Sequence, residues 1–503
     1  SEMCIRDRQM MRSFEENESR AMLYVYSFIN GADWADEVQQ LDRMSKITKQ
    51  DVVDWANKYL GPESYAIVYK REGKDPNEQK IAAPKITPIV TNRDSQSEFL
   101  TEIQNSKVEP IEPVFVDYKK DMSQFEAQKG VNVLYKKNET NDIFTLIYVF
   151  NTGTENDPAL NLAFDYLSYL GTDKMTAEEI ASEMYAIACS FGLSAGTNQS
   201  WIEVSGLSEN MGKAMEIVEG LIAGAQPNEE ILQNLKGDMI KSRADAKLNQ
   251  SRCFGALQRY MIYGSDFIRR TTLTDPALQG LTSEQLLAKI GDLMGKQHEV
   301  LYYGPQDEAE VKAALAAHHK VAADLQPLEK KFSTLQPTDE NKVMLAQYDA
   351  KQLYYMQYSN RGEKFDLAAD PQITLYNEYF GGGMNTIVFQ EMREARGLAY
   401  SAWANLAIPT NAKGDYSYYA FIATQNDKMQ KAIEAFDEII NNMPESEKAF
   451  SIAKEALISR LRTERTVKDG VLWSYIRMRD LGLTEPRGKQ IFEKAQQLSL
   501  IHI

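Results

Sequence analysis

Apolar positions along the chain switch between a strand-like and a helix-like spacing, and the switches mark its elements. Residues 131–135 and 143–150 are runs rich in β-branched and aromatic side chains, separated by the polar stretch 136–142, which predicts a hairpin. Helical periodicity follows over about 158–170 and 176–191, and Thr176 with Glu179 forms a capping-box pattern for the second helix. Residues 193–197 and 201–207 predict another hairpin, followed by helices over about 208–224 and 228–248. The same order returns later: strands at 343–348 and 353–358, a helix from Pro371, strands at 399–406 and 416–423, then helices. Strand pairs and helices come in blocks instead of alternating singly, so the expected class is α+β, with helices on a mostly antiparallel sheet.

The order recurs because the sequence repeats. Residues 47–70 (ITKQDVVDWANKYLGPESYAIVYK) match 281–304 (LTSEQLLAKIGDLMGKQHEVLYYG) in length and apolar pattern, each predicting a capped helix and then a strand. Thr48 and Thr282 occupy the N-cap positions, with Asp51 and Gln285 three residues on. KAMEIVEGLI at 213–222 returns as KAIEAFDEII at 431–440, and Pro227 or Pro444 then precedes a long helix. The offsets are 234 and 218, so a unit of roughly 220–230 residues repeats. Proline-bearing stretches separate the copies, with Pro76, Pro84, Pro88, Pro110 and Pro113 in one and Pro327 and Pro337 in the other. The expected organisation is residues 1–70 as the tail of a preceding repeat, 71–125 as a linker and 126–325 as a whole repeat. A second linker covers 326–341, and 342–503 is most of a further repeat.

Composition narrows the function classes. A net charge of −16 and the lack of a basic run argue against a nucleic-acid groove. Cys4, Cys189 and Cys253 are too few for a disulfide framework and none belongs to a C-x-x-C pair. No apolar run reaches the roughly 18 residues that would suggest a membrane span. Residues 3–7 (MCIRD) and 499–503 (SLIHI) resemble translated adapter sequence, so about eight residues at the start and five at the end are expected to be foreign to the natural protein.

Candidate chemistry concentrates in TLYNEYFGGGMNTIVFQEMREARGLAYSAWANL, residues 374–406. Gly381, Gly382 and Gly383 permit a tight turn or close approach of another backbone. A phosphate-binding loop is the competing reading, but the G-K-[ST] ending is missing. A helix over 385–396 is expected to end at Gly397, which places Arg393 and Tyr400 on either side of a helix-to-strand junction. Both are strong hydrogen-bond donors; the alternative is an arginine capping its helix and a tyrosine packed on a sheet.

This segment resembles the second-domain signature of the insulinase/pitrilysin family of zinc metallopeptidases, in which a glycine-rich turn precedes R-x-x-x-G-x-x-Y. Arg393, Gly397 and Tyr400 stand at that spacing. The resemblance implies tandem LuxS/MPP-like α/β rolls and a metalloendopeptidase acting on peptides or unfolded segments, in a bacterial periplasmic or secreted setting. It implies that this chain is the C-terminal half, enclosing a peptide substrate and partnered with an N-terminal half of the same protein. Arg393 and Tyr400 would hold a substrate carbonyl and its oxyanion, with Gly381–Gly383 near the chamber. Catalytic repeats of the family carry H-x-x-E-H on a helix that corresponds here to Phe164, Leu167 and Ser168, none of which serves as a zinc ligand or general base. Zinc is therefore expected in the N-terminal repeat of the full-length protein and not in this fragment, which alone is expected to be inactive. The four histidines, His298, His318, His319 and His502, are expected on the solvated surface. A non-catalytic peptide-binding or scaffold relative of the same family is the alternative, separated from the enzyme by H-x-x-E-H upstream.

Overall fold

The computed structural model describes residues 13–70, 73, 97–107 and 109–503. Met3 to Asp7, Cys4 and most of the first proline-rich stretch lie outside the described residues. Two compact units are present, one of residues 21–112 and one of residues 1–20 with 113–503.

In the smaller unit the Lys49–Tyr59 helix starts at Thr48, whose side chain accepts from the Asp51 amide while Asp51 accepts from the Thr48 amide. The capping box read from the sequence is present. The strand expected after it is not: residues 65–70 are assigned neither helix nor strand, and Ile67, Val68 and Tyr69 are exposed.

The larger unit holds two sheets. The first has the order β1-β2-β6-β3-β5-β4, with β1 Ser123–Gln128, β2 Val131–Lys137, β3 Ile143–Phe150, β4 Cys189–Ala195, β5 Ser200–Leu207 and β6 His298–Gly304. The β4/β5 hairpin is as expected. The 131–150 hairpin is not formed, because β6 returns from far along the chain and inserts between its arms, parallel to β2 and antiparallel to β3. β3 explains the insertion: every residue but Thr145 is buried, its even positions (Phe144, Leu146, Tyr148, Phe150) facing one core and Ile147 and Val149 the other. A strand buried on both faces belongs at the sheet centre. The first core is roofed by the Leu160–Leu167, Ala177–Ala186, Met211–Gly224, Ser283–Met294 and Glu308–His318 helices. On the opposite face the Gly470–Asp480 helix of the last block packs Val471, Leu472 and Ile476 onto Leu134, Ile147, Val149 and Leu301. Arg479 pins it with a bidentate pair to Glu299 on β6, at 2.6 and 2.7 Å.

The second sheet has three strands in the order β7-β9-β8, with β7 Gln352–Ser359, β8 Ser401–Ala407 and β9 Ser417–Gln425. The strand expected at 343–348 is absent. Its counterpart β2 is held to β3 only through β6, and among the described residues of the last block no strand takes the place of β6. Otherwise the repeat is visible in three dimensions. The Ser208–Asn210 turn and Met211–Gly224 helix after β5 have their match in the Asn426–Lys428 turn and Met429–Asn441 helix after β9. Residues 326–341 form no helix or strand; an isolated bridge of Gln326 to Lys296, Gln336 N to the Ile262 carbonyl and Thr338 N to that of Asn360 tie them down.

Candidate functional site

Arg393 and Tyr400 are brought together by an irregular helix end. The chain runs from the Asp370–Tyr376 helix through a π-type turn, Asn377–Gly381, into the glycines, then through Ile387–Phe389 to a second π-type turn, Gln390–Ala395. Gly381 is required by packing: a Cβ there would lie 2.6 Å from the Ala404 carbonyl oxygen on β8. Gly382 and Gly383 are exposed and meet no such obstacle. Gly397 ends the second turn at φ +56°, where the left-handed backbone favours glycine. Its carbonyl accepts from Lys428 Nζ at 3.2 Å. The chain then reverses, and the Tyr400 amide joins β9 through the Ala423 carbonyl.

Reversal places the Arg393 guanidinium 5.3 Å from the centre of the Tyr400 ring and 5.0 Å from that of Phe389. Tyr400 is 72% exposed, so its phenol is not packed onto the sheet, and the Arg393 side chain is 43% exposed. Arg393 lies 3.8 Å from Glu394, a loose contact that leaves guanidinium donors open to solvent. Two donors therefore stand side by side on one surface, held by aromatic stacking.

The helix that would carry zinc ligands is built differently. Phe164 and Leu167 on the Leu160–Leu167 helix are 1% and 0% exposed and pack in the first core. Ser168 closes the helix, its hydroxyl donating to the Asp165 carbonyl at 2.6 Å. Two core hydrocarbons and a satisfied hydroxyl do not suit a zinc ion, and no step is assigned to a metal at these positions. Cys189 is buried and Cys253 is half-buried; neither is in a disulfide.

Two of the histidines overturn the surface expectation. His298, first residue of β6, and His319, just after the Glu308–His318 helix, are 5% and 4% exposed. Their Nε2 atoms lie 2.8 Å apart, His298 Nδ1 is 2.8 Å from the Lys296 carbonyl, and His319 Nδ1 is 2.6 Å from Glu219 Oε1. The protons follow from the partners. A carbonyl only accepts, so His298 carries its proton on Nδ1 and, being neutral, accepts at Nε2 from His319 Nε2–H. One further proton is then shared between His319 Nδ1 and Glu219. The rings of Tyr148 and Phe150 flank the pair at 4.2 and 4.7 Å. Burial first, then the neighbouring His319, lowers the His298 pKa to about 4, against the pull of the Lys296 carbonyl. Burial, followed by the Glu219 carboxylate, holds the Tyr148 phenol protonated. Sequence gives little sign of this chain, because Glu219, His298 and His319 are far apart in order and each alone looks like a surface residue.

Comparison with known proteins agrees with the architecture. A family model described as the peptidase M16 inactive domain matches residues 294–457. An uncharacterized zinc protease of Rickettsia bellii is 24% identical over 310 residues, covering 60% of this chain and 70% of the relative. A crystal structure titled as a peptidase M16 inactive domain, from Pseudomonas fluorescens, superposes with a TM-score of 0.59 at 18% identity, covering 76% of this chain and 92% of that one. The periplasmic protease PqqL of Escherichia coli superposes with a TM-score of 0.58 at 13% identity; the match covers 92% of this chain and 49% of PqqL, so the chain spans about half of that protein's length. With its repeated α+β units, its R-x-x-x-G-x-x-Y junction and these matches, the chain is similar to the inactive, C-terminal domains of the insulinase/pitrilysin (M16) peptidases, whose family model matches residues 294–457.

Proposed function

We propose that the chain is the substrate-closing half of a zinc-dependent metalloendopeptidase that cleaves peptides or unfolded segments. Arg393 and Tyr400 bind the peptide carbonyl and stabilise the oxyanion that develops on it. The observation that carries this reading is the pairing of two exposed donors, 5.3 Å from guanidinium to ring, with Arg393 otherwise held by the Phe389 ring and a loose contact to Glu394. Donors held in place before the reaction need not reorganise as charge develops, and each is worth about 3 kcal/mol, or roughly 100-fold in rate. Gly381 to Gly383 shape the turn beside them. In this reading zinc belongs to a repeat outside this sequence, since Phe164, Leu167 and Ser168 stand where the ligands would be.

The domain boundaries are part of the proposal: 1–70 closes a preceding repeat, 126–325 is a repeat that has lost its ligands, and 342–503 belongs to a further one, with linkers at 71–125 and 326–341. In support, Ile67 and Val68, both exposed, align in the repeat with Leu301 and Tyr302, both buried in β6. The test is kinetic and uses the full-length natural protein. Arg393→Ala and Tyr400→Phe should each lower kcat/KM about 100-fold without moving the melting temperature. Wild-type kinetics in both variants would remove the pair from the mechanism. An upstream repeat lacking H-x-x-E-H would leave the scaffold reading in its place.

A further inference from the structure

The acidic groups around the Gln390–Ala395 turn are engaged by an arginine other than Arg393. Arg396 reaches Glu391 at 3.4 Å and Glu438 at 2.8 Å, whereas the charged contact of Arg393 is the loose one of 3.8 Å with Glu394. A 43% exposed arginine on so weak an ion pair would sample many rotamers, and that freedom is lost when the side chain engages a peptide. The fold supplies a different restraint, a ring one helical turn earlier.

Phe389 stands four residues before Arg393, a spacing that puts two side chains on one helix face, and its ring centre lies 5.0 Å from the guanidinium. The backbone under this ring is fixed, because Val388 before it and Met392 after it are both 0% exposed. The ring itself is half-buried. It belongs neither to the second core, which takes Ile387, Val388 and Met392, nor to the partly buried side chains packed against that core. Core packing therefore does not call for a phenylalanine at this position, and the guanidinium over its ring does.

How the guanidinium is held decides what it can do. A carboxylate would hold it through the same N–H groups that a substrate carbonyl needs, whereas an aromatic ring holds it through its face and leaves the N–H edge free. Tyr400 also lies against the guanidinium, at 5.3 Å, but it is 72% exposed and is itself a donor in the proposed function. Of the two rings, Phe389 is the one anchored from below.

We propose that Phe389 is a positioning residue: without touching the substrate, it fixes the Arg393 guanidinium before the peptide arrives and so raises the rate of cleavage. This rests on the role given above to Arg393, and the experiment separates the two.

The first readout needs no activity. The chain is labelled with phenylglyoxal and mapped by mass spectrometry, with Arg396 as the internal reference for Arg393. Phe389→Leu, of similar volume but without a π face, should raise the labelling of Arg393 relative to Arg396 at least threefold, and Phe389→Tyr should leave it as in the wild type. The second readout is kinetic, in the full-length natural protein. Phe389→Leu should lower kcat about fivefold with KM and the melting temperature unchanged, Phe389→Tyr should restore it, and Phe389→Leu should add no further loss to Arg393→Ala. An unchanged labelling ratio in Phe389→Leu would overturn the proposal whatever the kinetics. A loss that persists in the Arg393→Ala background would overturn it too, since Phe389 would then meet the substrate itself, as would wild-type kinetics in Phe389→Leu beside an impaired Arg393→Ala. Raised labelling with wild-type kinetics in Arg393→Ala would instead remove Arg393 from the proposed function and leave Phe389 as its anchor.

Discussion

Acid should destabilise the first repeat through one histidine. His298 binds its proton with a pKa of about 4 in the fold and about 6.5 in an unfolded chain. Between these values the unfolded state holds nearly one more proton than the native state, so stability rises with pH at close to 1.4 kcal/mol per pH unit. The contribution is complete above about pH 6.5, falls as pH drops through the window, and is gone below about pH 4. It amounts to about 3 kcal/mol at most. Burial is the first cause, since the imidazolium would lose its water in a pocket closed by Tyr148 and Phe150, and the second proton would also put N–H groups face to face across the 2.8 Å contact with His319. The proton shared by His319 and Glu219 completes the pattern, so no acceptor there takes up the new donor. His298→Gln keeps a hydrogen-bonding side chain that does not titrate in this range. Calorimetric unfolding at pH 4.5, 5.5 and 7.5 should show the wild type losing stability faster than the variant as pH falls. With four histidines in the chain, selective ¹³C labelling can follow His298 directly. A His298 resonance titrating near 6.5, or parallel stability curves for the two proteins, would refute the reasoning.

Two glycine substitutions in the last block should separate clash from strain. Gly381→Ala pushes a Cβ to 2.6 Å from the Ala404 carbonyl and should cost about 2 kcal/mol. Gly397→Ala meets no atom within 4 Å and should cost only about 1 kcal/mol for its φ of +56°. Thermal melts should rank them in that order, and the reverse ranking would contradict the described turn. Asp370, fully buried, accepts from Arg487 Nε and Nη2, and Nη2 also reaches Thr374 Oγ1 at 2.8 Å, joining the Asp370–Tyr376 and Arg487–Ala495 helices. Asp370→Asn leaves a half-buried guanidinium without its counter-charge and should cost about 2 to 4 kcal/mol in urea unfolding; a change under 0.5 kcal/mol would show that the pair contributes little to stability.

Features that depend on near neighbours can be read from the order of residues alone. Capping boxes at Thr48, Thr176 and Thr282 all form, because a hydroxyl and a carboxylate or amide three residues apart need no distant partner. The β4/β5 hairpin and the helices after it follow from local period, and the repeat from internal likeness. The spacing of Arg393, Gly397 and Tyr400 was legible too, though only the chain reversal at Gly397 shows guanidinium beside ring. Tertiary structure decided everything that needed a partner from elsewhere. A strand such as 143–150 carries its apolar pattern in order but not the identity of the strands beside it, so β6 took the place that proximity gave to β2. Residues 343–348 have strand-like composition, yet with no strand in the place of β6 among the described residues they join no sheet. The same holds for Glu219, His319 and His298: burial and hydrogen bonding are properties of three segments meeting, and no one of them encodes the meeting alone.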